Sequence, residues 1–415
     1  MVSTLAIHGG PPAITLPDDG LHWPLTGKEE LAAVTDLVRR GELSISPVTR
    51  QFEEEFRAFI GREYALATNN GTSAGHSAFF ALGLQPGDEV ICPSFTYWAS
   101  VVQVLNLGGV PVFAEIEPES LNLDPADIEH RITPCTRAIV VVHMLGRPCE
   151  MDSILEIARG HDLAVIEDCS HAHGARYKGR MVGSMGDIAF FSFQTSKLMV
   201  GGEGGMLLTD NGEYYERAVL LGHYERIPEL SERYRKYHRT GFGFKYRIHP
   251  LAAAIALAQL KRLEENNARR NENIEYFLDG LRPLRCWEIP RTPSCMERTY
   301  YECWIPYDPE GAGGVPKERA IEALQAEGAK VSDARYNLLH QQPIFQEPER
   351  YEPGGAFSIL AHCPNKPLYS PDALPVSEAV RQNLVRVPTF PAASRELLNQ
   401  YIAAFRKVDK YLEKL

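Results

Sequence analysis

The chain has no excess of positive charge, no apolar run approaching membrane-spanning length and no closely spaced cysteine pair. Each absence closes a class of function. With 54 acidic against 43 basic residues the formal net charge is −11, so the surface offers no electrostatic footprint for nucleic acid. Without a run of about 20 apolar residues there is no candidate span for a bilayer. The start, MVSTLAIHGGPPAITLP, lacks the basic opening and apolar core of a secretory signal. The eight cysteines are dispersed with no CxxC spacing, which predicts reduced thiols and a cytoplasmic setting. Neither GxGxxG nor GxxxxGKS/T occurs, so the glycines at 201, 202, 204 and 205 match no nucleotide loop. A dinucleotide-binding oxidoreductase loses its fingerprint for the same reason.

What is present is an ordinary globular composition, 44% hydrophobic over 415 residues, enough for two domains. The first half alternates strand-like and helical segments. EYALAT, DEVICP, VPVFAEI, RAIVVV, LAVIED, DIAFFSF and GGMLLTD are short apolar runs, most of them separated by helical spacing such as GTSAGHSAFFAL and MDSILEIARG. Strands apolar on both faces predict an α/β fold with a mainly parallel sheet between helices. Ligands of such sheets bind at the carboxyl ends of the strands. After about Glu213 the chain becomes charged and aromatic. The stretch from His249 to Leu281 reads as one long helix, Ala-rich at its start and charged at its end, leading to a smaller C-terminal domain. There YYECWIPY reads as a strand, and KERAIEALQAEG and SRELLNQYIAAFRKVDKYLEKL read as helices. YDPEGAGGVP and EPERYEPGGAF read as surface loops. The expected division is an N-terminal arm over 1–24, a large α/β domain over 25–250, and a linking helix with a small α+β domain over 251–415.

One lysine is placed unusually. In FSFQTSKLMVGGEGG, Lys197 stands between an apolar strand and the glycine cluster, with no acidic residue in the five positions before it. A desolvated lysine amine can attack a carbonyl and form a Schiff base; an isolated lysine on a turn would instead be a surface residue. Groups elsewhere in the sequence suit pyridoxal phosphate. TNNGTSAGHSA ends a strand and opens a helix at Gly71, Thr72 and Ser73, where backbone N–H groups suit a phosphate; the plain alternative is a helix cap at Thr72 or Ser73. Ser192 adds a hydroxyl at a strand end. Asp168 closes LAVIED, where a carboxylate is costly without a partner and could keep a pyridinium nitrogen protonated; a cap or internal ion pair is the alternative. Tyr97 and Trp98 lie just past another strand end, as ring cover or as core. His171, His173 and Cys169 in DCSHAHGA admit a metal reading, but no further ligand cluster accompanies them, and no metal is expected.

In order and spacing, NNGTSA, PSFTYWAS, VIEDCSHAHGA, FSFQTSKLMVGGEGG, GFGFKYRIHPLAAAIALAQL, LLHQQPIF and VRVPTFP resemble the sugar aminotransferases of the DegT/DnrJ/EryC1/StrS family, within the aspartate-aminotransferase (fold type I) superfamily. The resemblance implies a seven-stranded-type sheet and a pyridoxal-phosphate-dependent aminotransferase. It implies that Lys197 carries the cofactor and then moves protons, that Asp168 pairs with the pyridine nitrogen, and that His171 lies near the ring oxygen. It places Tyr97 on the ring, and Gly71, Thr72, Ser73 and Ser192 on the phosphate. It further implies that Lys245 and Arg247, in GFKYRIHP, complete the phosphate site of a partner subunit, so that a homodimer shares its active sites. Many members carry an asparagine at one of these two positions, and this chain has none. The implied reaction moves an amino group from L-glutamate or L-glutamine to a ketone on a sugar or cyclitol, in amino-sugar or natural-product biosynthesis. Acceptors across the family are nucleotide-linked ketosugars, ketocyclitols such as scyllo-inosose, and the ketone precursor of aminohydroxybenzoate. Three other readings compete: an aminohydroxybenzoate-synthase-like enzyme, a sugar dehydratase of the same family, and a non-catalytic cofactor-binding regulator. The dehydratases carry histidine in place of the lysine, so Lys197 counts against them.

Overall fold

The computed structural model describes residues 4–346 and 369–415. The expected loop EPERYEPGGAF lies outside the described residues. Seven strands form the central sheet in the spatial order 64–68, 205–209, 188–192, 164–168, 136–142, 89–93, 110–114. Strands 110–114, 89–93, 136–142, 164–168 and 188–192 run parallel to one another, and Gly205–Thr209 runs antiparallel to both of its neighbours, 188–192 and 64–68. This is the mainly parallel sheet that the apolar runs predict. Its interior strands are buried on both faces because side chains alternate across the pleat. In Thr136–Val142, Ala138, Val140 and Val142 join one hydrophobic cluster with Phe79 and Val219. Ile139 and Val141 join the opposite cluster with Ile154 and Ala158 of the helix Met151–Gly160.

The expected single helix from His249 to Leu281 is two helices, Pro250–Leu260 and Leu263–Leu281. Arg262 leaves helical geometry between them (φ −116°, ψ 3°). No proline or glycine marks the break; packing decides it. Ala253, Ala256 and Leu257 are buried against Phe52, Phe56 and Phe193, whereas Ile274, Phe277, Leu278 and Leu281 are buried with Tyr401 and Phe405 of the C-terminal helix Arg395–Lys410. Two cores lie in different directions, so the axis must turn. Arg262 also ion-pairs with Glu30 at the turn.

The C-terminal part carries a three-stranded sheet, Cys303–Pro306, Leu384–Val387 and Ser332–Asp333. The strand expected over YYECWIPY is thus shorter, and Tyr301 falls before it. The N-terminal segment lies on this part: Leu5 and Ile14 share its core, and Glu327 accepts hydrogen bonds from the backbone N–H groups of Ala6 and Ala13.

Candidate active site

The strands 164–168 and 188–192 and the start of the helix Gly71–Leu82 converge on a cavity of about 730 Å³. Gly71, Thr72, Tyr97, Asp168, His171, Ser192 and Lys197 all line it. Residues separated by more than a hundred positions are therefore neighbours, as expected for the carboxyl ends of a parallel sheet.

The helix start is built for a close approach. Asn70 is the N-cap, its side chain accepting from Ser73 N at 2.7 Å, so neither Thr72 nor Ser73 is the cap and Ser73 does not line the cavity. A Cβ on Gly71 would stand 2.6 Å from the Ser192 Cβ, so only glycine lets the helix begin against this strand end. The first N–H groups of a helix and its dipole favour an anion.

Asp168 is 4% exposed. Its Oδ2 accepts from the Ser100 hydroxyl at 2.6 Å and its Oδ1 from Ser170 N at 2.9 Å. No cation pairs with it among the described residues, so it is not half of an internal salt bridge. Two donors fix the carboxylate, which satisfies part of its hydrogen-bonding capacity and leaves further lone pairs for a ligand.

Lys197 is 8% exposed, and its amine has no carboxylate partner among the described residues. The Nζ stands 3.4 Å from the Tyr301 hydroxyl and 4.4 Å from the centre of that ring. Arg335 donates to the Tyr301 and Tyr336 hydroxyls, the latter at 2.8 Å, and pairs with Glu302 at 3.2 Å. Burial raises the Tyr301 hydroxyl, but the charges of Lys197 and Arg335 outweigh it and hold the phenol below its ordinary value. His171 stacks on Tyr301 with centroids 4.2 Å apart, and its Nε2 lies 3.3 Å from the Tyr336 hydroxyl. Burial, then the charges of Lys197 and Arg335, hold its imidazole well below the usual range, so it is neutral at pH 7. Its buried Nδ1 has no hydrogen-bond partner among the described residues.

Tyr97 and Trp98 line the cavity half exposed rather than packing in the core. Lys245 is exposed, and Arg247 pairs with Glu225 at 3.6 Å over the Tyr224 ring; neither lines the cavity of its own chain. The loop histidines do not form a metal set with Cys169. His171 faces the cavity, while His173 packs between Phe191 and Phe193, and burial holds it down at about 3. His143, Glu167 and Cys169 do approach one another. Their polar atoms are engaged: His143 Nδ1 accepts from Cys149 N, and its Nε2 faces Glu167 at 3.1 Å. Glu167 also accepts three backbone N–H groups.

Sequence reading missed Ser100, Tyr301, Arg335 and Tyr336. Ser100 ends a motif singled out for its aromatics. The other three lie more than a hundred positions from Lys197, and no local pattern marks them.

The residues fit pyridoxal phosphate on the structure's own terms. There is an uncompensated buried amine, an anchored carboxylate, a helix start that a Cβ would obstruct, and an orphaned imidazole nitrogen, all on one cavity. Comparison with known proteins gives the same direction. Residues 24–370 match the model of the DegT/DnrJ/EryC1/StrS aminotransferase family. The chain is 44% identical to the GDP-perosamine synthase of Caulobacter vibrioides over 359 residues, 86% of this chain and 89% of that protein. It is 35% identical to a putative L-glutamine:3-amino-2,3-dideoxy-scyllo-inosose aminotransferase of Micromonospora echinospora over 351 residues, 83% of each chain. Its fold is similar to that of an aminotransferase from Psychrobacter cryohalolentis, with a TM-score of 0.83 and 28% identity, covering 94% of this chain and 99% of that one. The chain belongs to the DegT/DnrJ/EryC1/StrS aminotransferase family and is a pyridoxal-phosphate-dependent aminotransferase of fold type I.

Proposed function

We propose that the enzyme moves an amino group from L-glutamate or L-glutamine to a ketone on a sugar or cyclitol ring, in amino-sugar or natural-product biosynthesis. The observation that carries the reading is the convergence of Lys197 and Asp168 on one cavity with the helix start at Gly71. Relatives named for a perosamine and for a scyllo-inosose derivative support both acceptor types. Bound pyridoxal phosphate would supply an electrophilic carbonyl and a ring that delocalises negative charge. Asp168, oriented by Ser100 and Ser170, would accept a hydrogen bond from a protonated ring nitrogen. The helix start, with Thr72 and Ser192, would hold the phosphate. In each half-reaction the Lys197 amine would take a proton from one carbon and give it to another, removing the donor's α-proton in the first and delivering a proton to the acceptor's ring carbon in the second. Tyr301 would hold that amine in place, and neutral His171 would offer Nδ1 to a polar group on the ring.

The homodimer belongs to the same proposal. Tyr246 is pinned at a strand end: its carbonyl accepts from Asn69 N at 2.6 Å and its hydroxyl meets His76 Nδ1 at 2.8 Å. The loop therefore presents Lys245 outward on a fixed base. Tyr224, Phe242 and Phe244 around it are 44 to 49% exposed, an apolar group suited to a second copy. We further assign 1–24 as an arm, 25–250 as the large domain and 251–415 as the linking helical segment with the small domain, in a cytoplasmic enzyme. Among the described residues no helix is long and apolar enough to cross a membrane.

The test supplies the pyridoxamine form with a panel of nucleotide-linked ketosugars, ketocyclitols and a cyclohexenone precursor of aminohydroxybenzoate. Return of the long-wavelength cofactor band identifies the acceptor. A cofactor-loaded protein that accepts an amino group from neither glutamate nor glutamine would instead be a non-catalytic binder.

A further inference from the structure

A second cavity, of about 520 Å³, adjoins the active site and shares Gln194, Ser196, Tyr301 and Arg335 with it. Its ionisable walls hold four cations, Arg270, Lys330, Arg335 and Arg386, against two carboxylates, Asp18 and Glu302. In a chain of net charge −11 this is a local positive surplus. Both carboxylates are already engaged. Glu302 pairs with Arg335 at 3.2 Å and Arg386 at 3.3 Å, and Asp18 with Lys330 at 3.6 Å.

Among the described residues Arg270 has no such partner. It projects from the helix Leu263–Leu281, is 2% exposed, and its buried Nε and Nη1 make no hydrogen bond to any of them. Its guanidinium lies 4.1 Å over the Trp23 ring, and the Trp23 indole N–H donates to the Lys197 carbonyl at 2.9 Å. Trp23 is thus a wall between this cation and the backbone of the reactive lysine. Burial, then repulsion from Arg269, pushes the Arg270 guanidinium down to about 9. A buried cation without a counter-ion is costly, and a guanidinium fork is shaped to receive a carboxylate or phosphate in two hydrogen bonds.

We propose that this cavity is an anion subsite, with Arg270 as its floor and Lys330 and Arg386 at its rim, that takes a carboxylate or phosphate of a molecule whose other end lies in the adjoining active site. The second half of that statement rests on the proposed aminotransferase site; the binding of an anion does not.

Calorimetric titration of the cofactor-loaded enzyme tests it, because the cofactor's own phosphate then fills the helix-start site. Inorganic phosphate and glutarate serve as separate ligands in low-salt buffer. One anion per chain is expected. Lys330→Gln with Arg386→Gln should weaken binding about tenfold or more, and Arg270→Gln should abolish it, with the urea midpoint of each variant checked against the wild type to show that it folds. Preference for phosphate assigns the subsite to a phosphorylated or nucleotide-linked acceptor, and preference for glutarate assigns it to the dicarboxylate donor. Binding should persist in Lys197→Ala loaded with cofactor, which lacks turnover. Failure of the catalytic reading would thus leave the subsite standing. Absence of binding by both anions to the wild-type protein, or equal binding in the rim double variant, would overturn the proposal.

Discussion

In the proposed reaction two residues carry the chemistry, and each makes a separate prediction. Lys197 is buried on the cavity and has no carboxylate partner among the described residues. Lys197→Ala should lose about 100- to 10,000-fold in turnover, the range a positioned general base supplies. Borohydride reduction of the wild-type holoenzyme, digestion and mass spectrometry should place the cofactor on Lys197 and on no other lysine. Asp168 is held by Ser100 and Ser170 at the end of an apolar strand. Asp168→Asn keeps the shape and removes the charge that favours a protonated ring nitrogen. A change of two to three pKa units at that nitrogen corresponds to about 3 to 4 kcal/mol, hence about 100- to 1,000-fold in kcat. Retained cofactor with near-normal kcat would contradict the role.

At the scale of the element, the helix start 71–82 and the strand end at Ser192 form one joint. Alanine at Gly71 would put its Cβ 2.6 Å from the Ser192 Cβ and 3.1 Å from the Cα, so backbone must shift. Such overpacking costs about 1–3 kcal/mol. Gly71→Ala should lower the urea midpoint modestly and weaken cofactor affinity more, as measured by the release of cofactor on dilution. Equal affinity in the variant would show that the phosphate does not sit at this helix start. The same scale explains the broken helix at Arg262. Amino-acid preference runs smoothly through Leu260–Leu263, and only the two differently placed cores turn the axis.

Two predictions belong to the whole molecule. Burial holds His173 and His223 down at about 3, against an ordinary value near 6.5. The unfolded chain takes up those protons first, so stability is fully present above about pH 6.5. It falls as pH drops toward 3, by about 1.4 kcal/mol per unit for each group. The urea midpoint should therefore decline from pH 7 to pH 5, and the decline should be shallower in His223→Gln. An unchanged slope would mean that His223 does not titrate this way. The second prediction concerns the shared site. Mixing Lys197→Ala with a Lys245→Ala, Arg247→Ala variant allows subunit exchange. If the loop serves the partner, each mixed dimer has one site with both defects and one with neither, and about half of the wild-type activity per dimer should return. Mixed dimers without activity would place the loop's role within its own subunit.

The sequence by itself determined the sheet, because strands buried on both faces must read as continuous apolar runs between helices, and periodicity is a local property. It also determined the position of Asp168 at a strand end, of Gly71 at a helix start, and of Lys197 in the turn between an apolar strand and the glycine cluster. It could not determine Tyr301, Arg335 and Tyr336 as neighbours of the lysine. Tyr301 reads as one more aromatic in a strand, and its role exists only because the C-terminal part is folded back over the sheet. Nor could it show that Arg270, an ordinary helix arginine in ARRNEN, is buried over Trp23 with no counter-ion among the described residues. Pairing, burial and the choice of neighbours across long stretches of chain are decided by packing, and packing is settled only when the whole chain is in place.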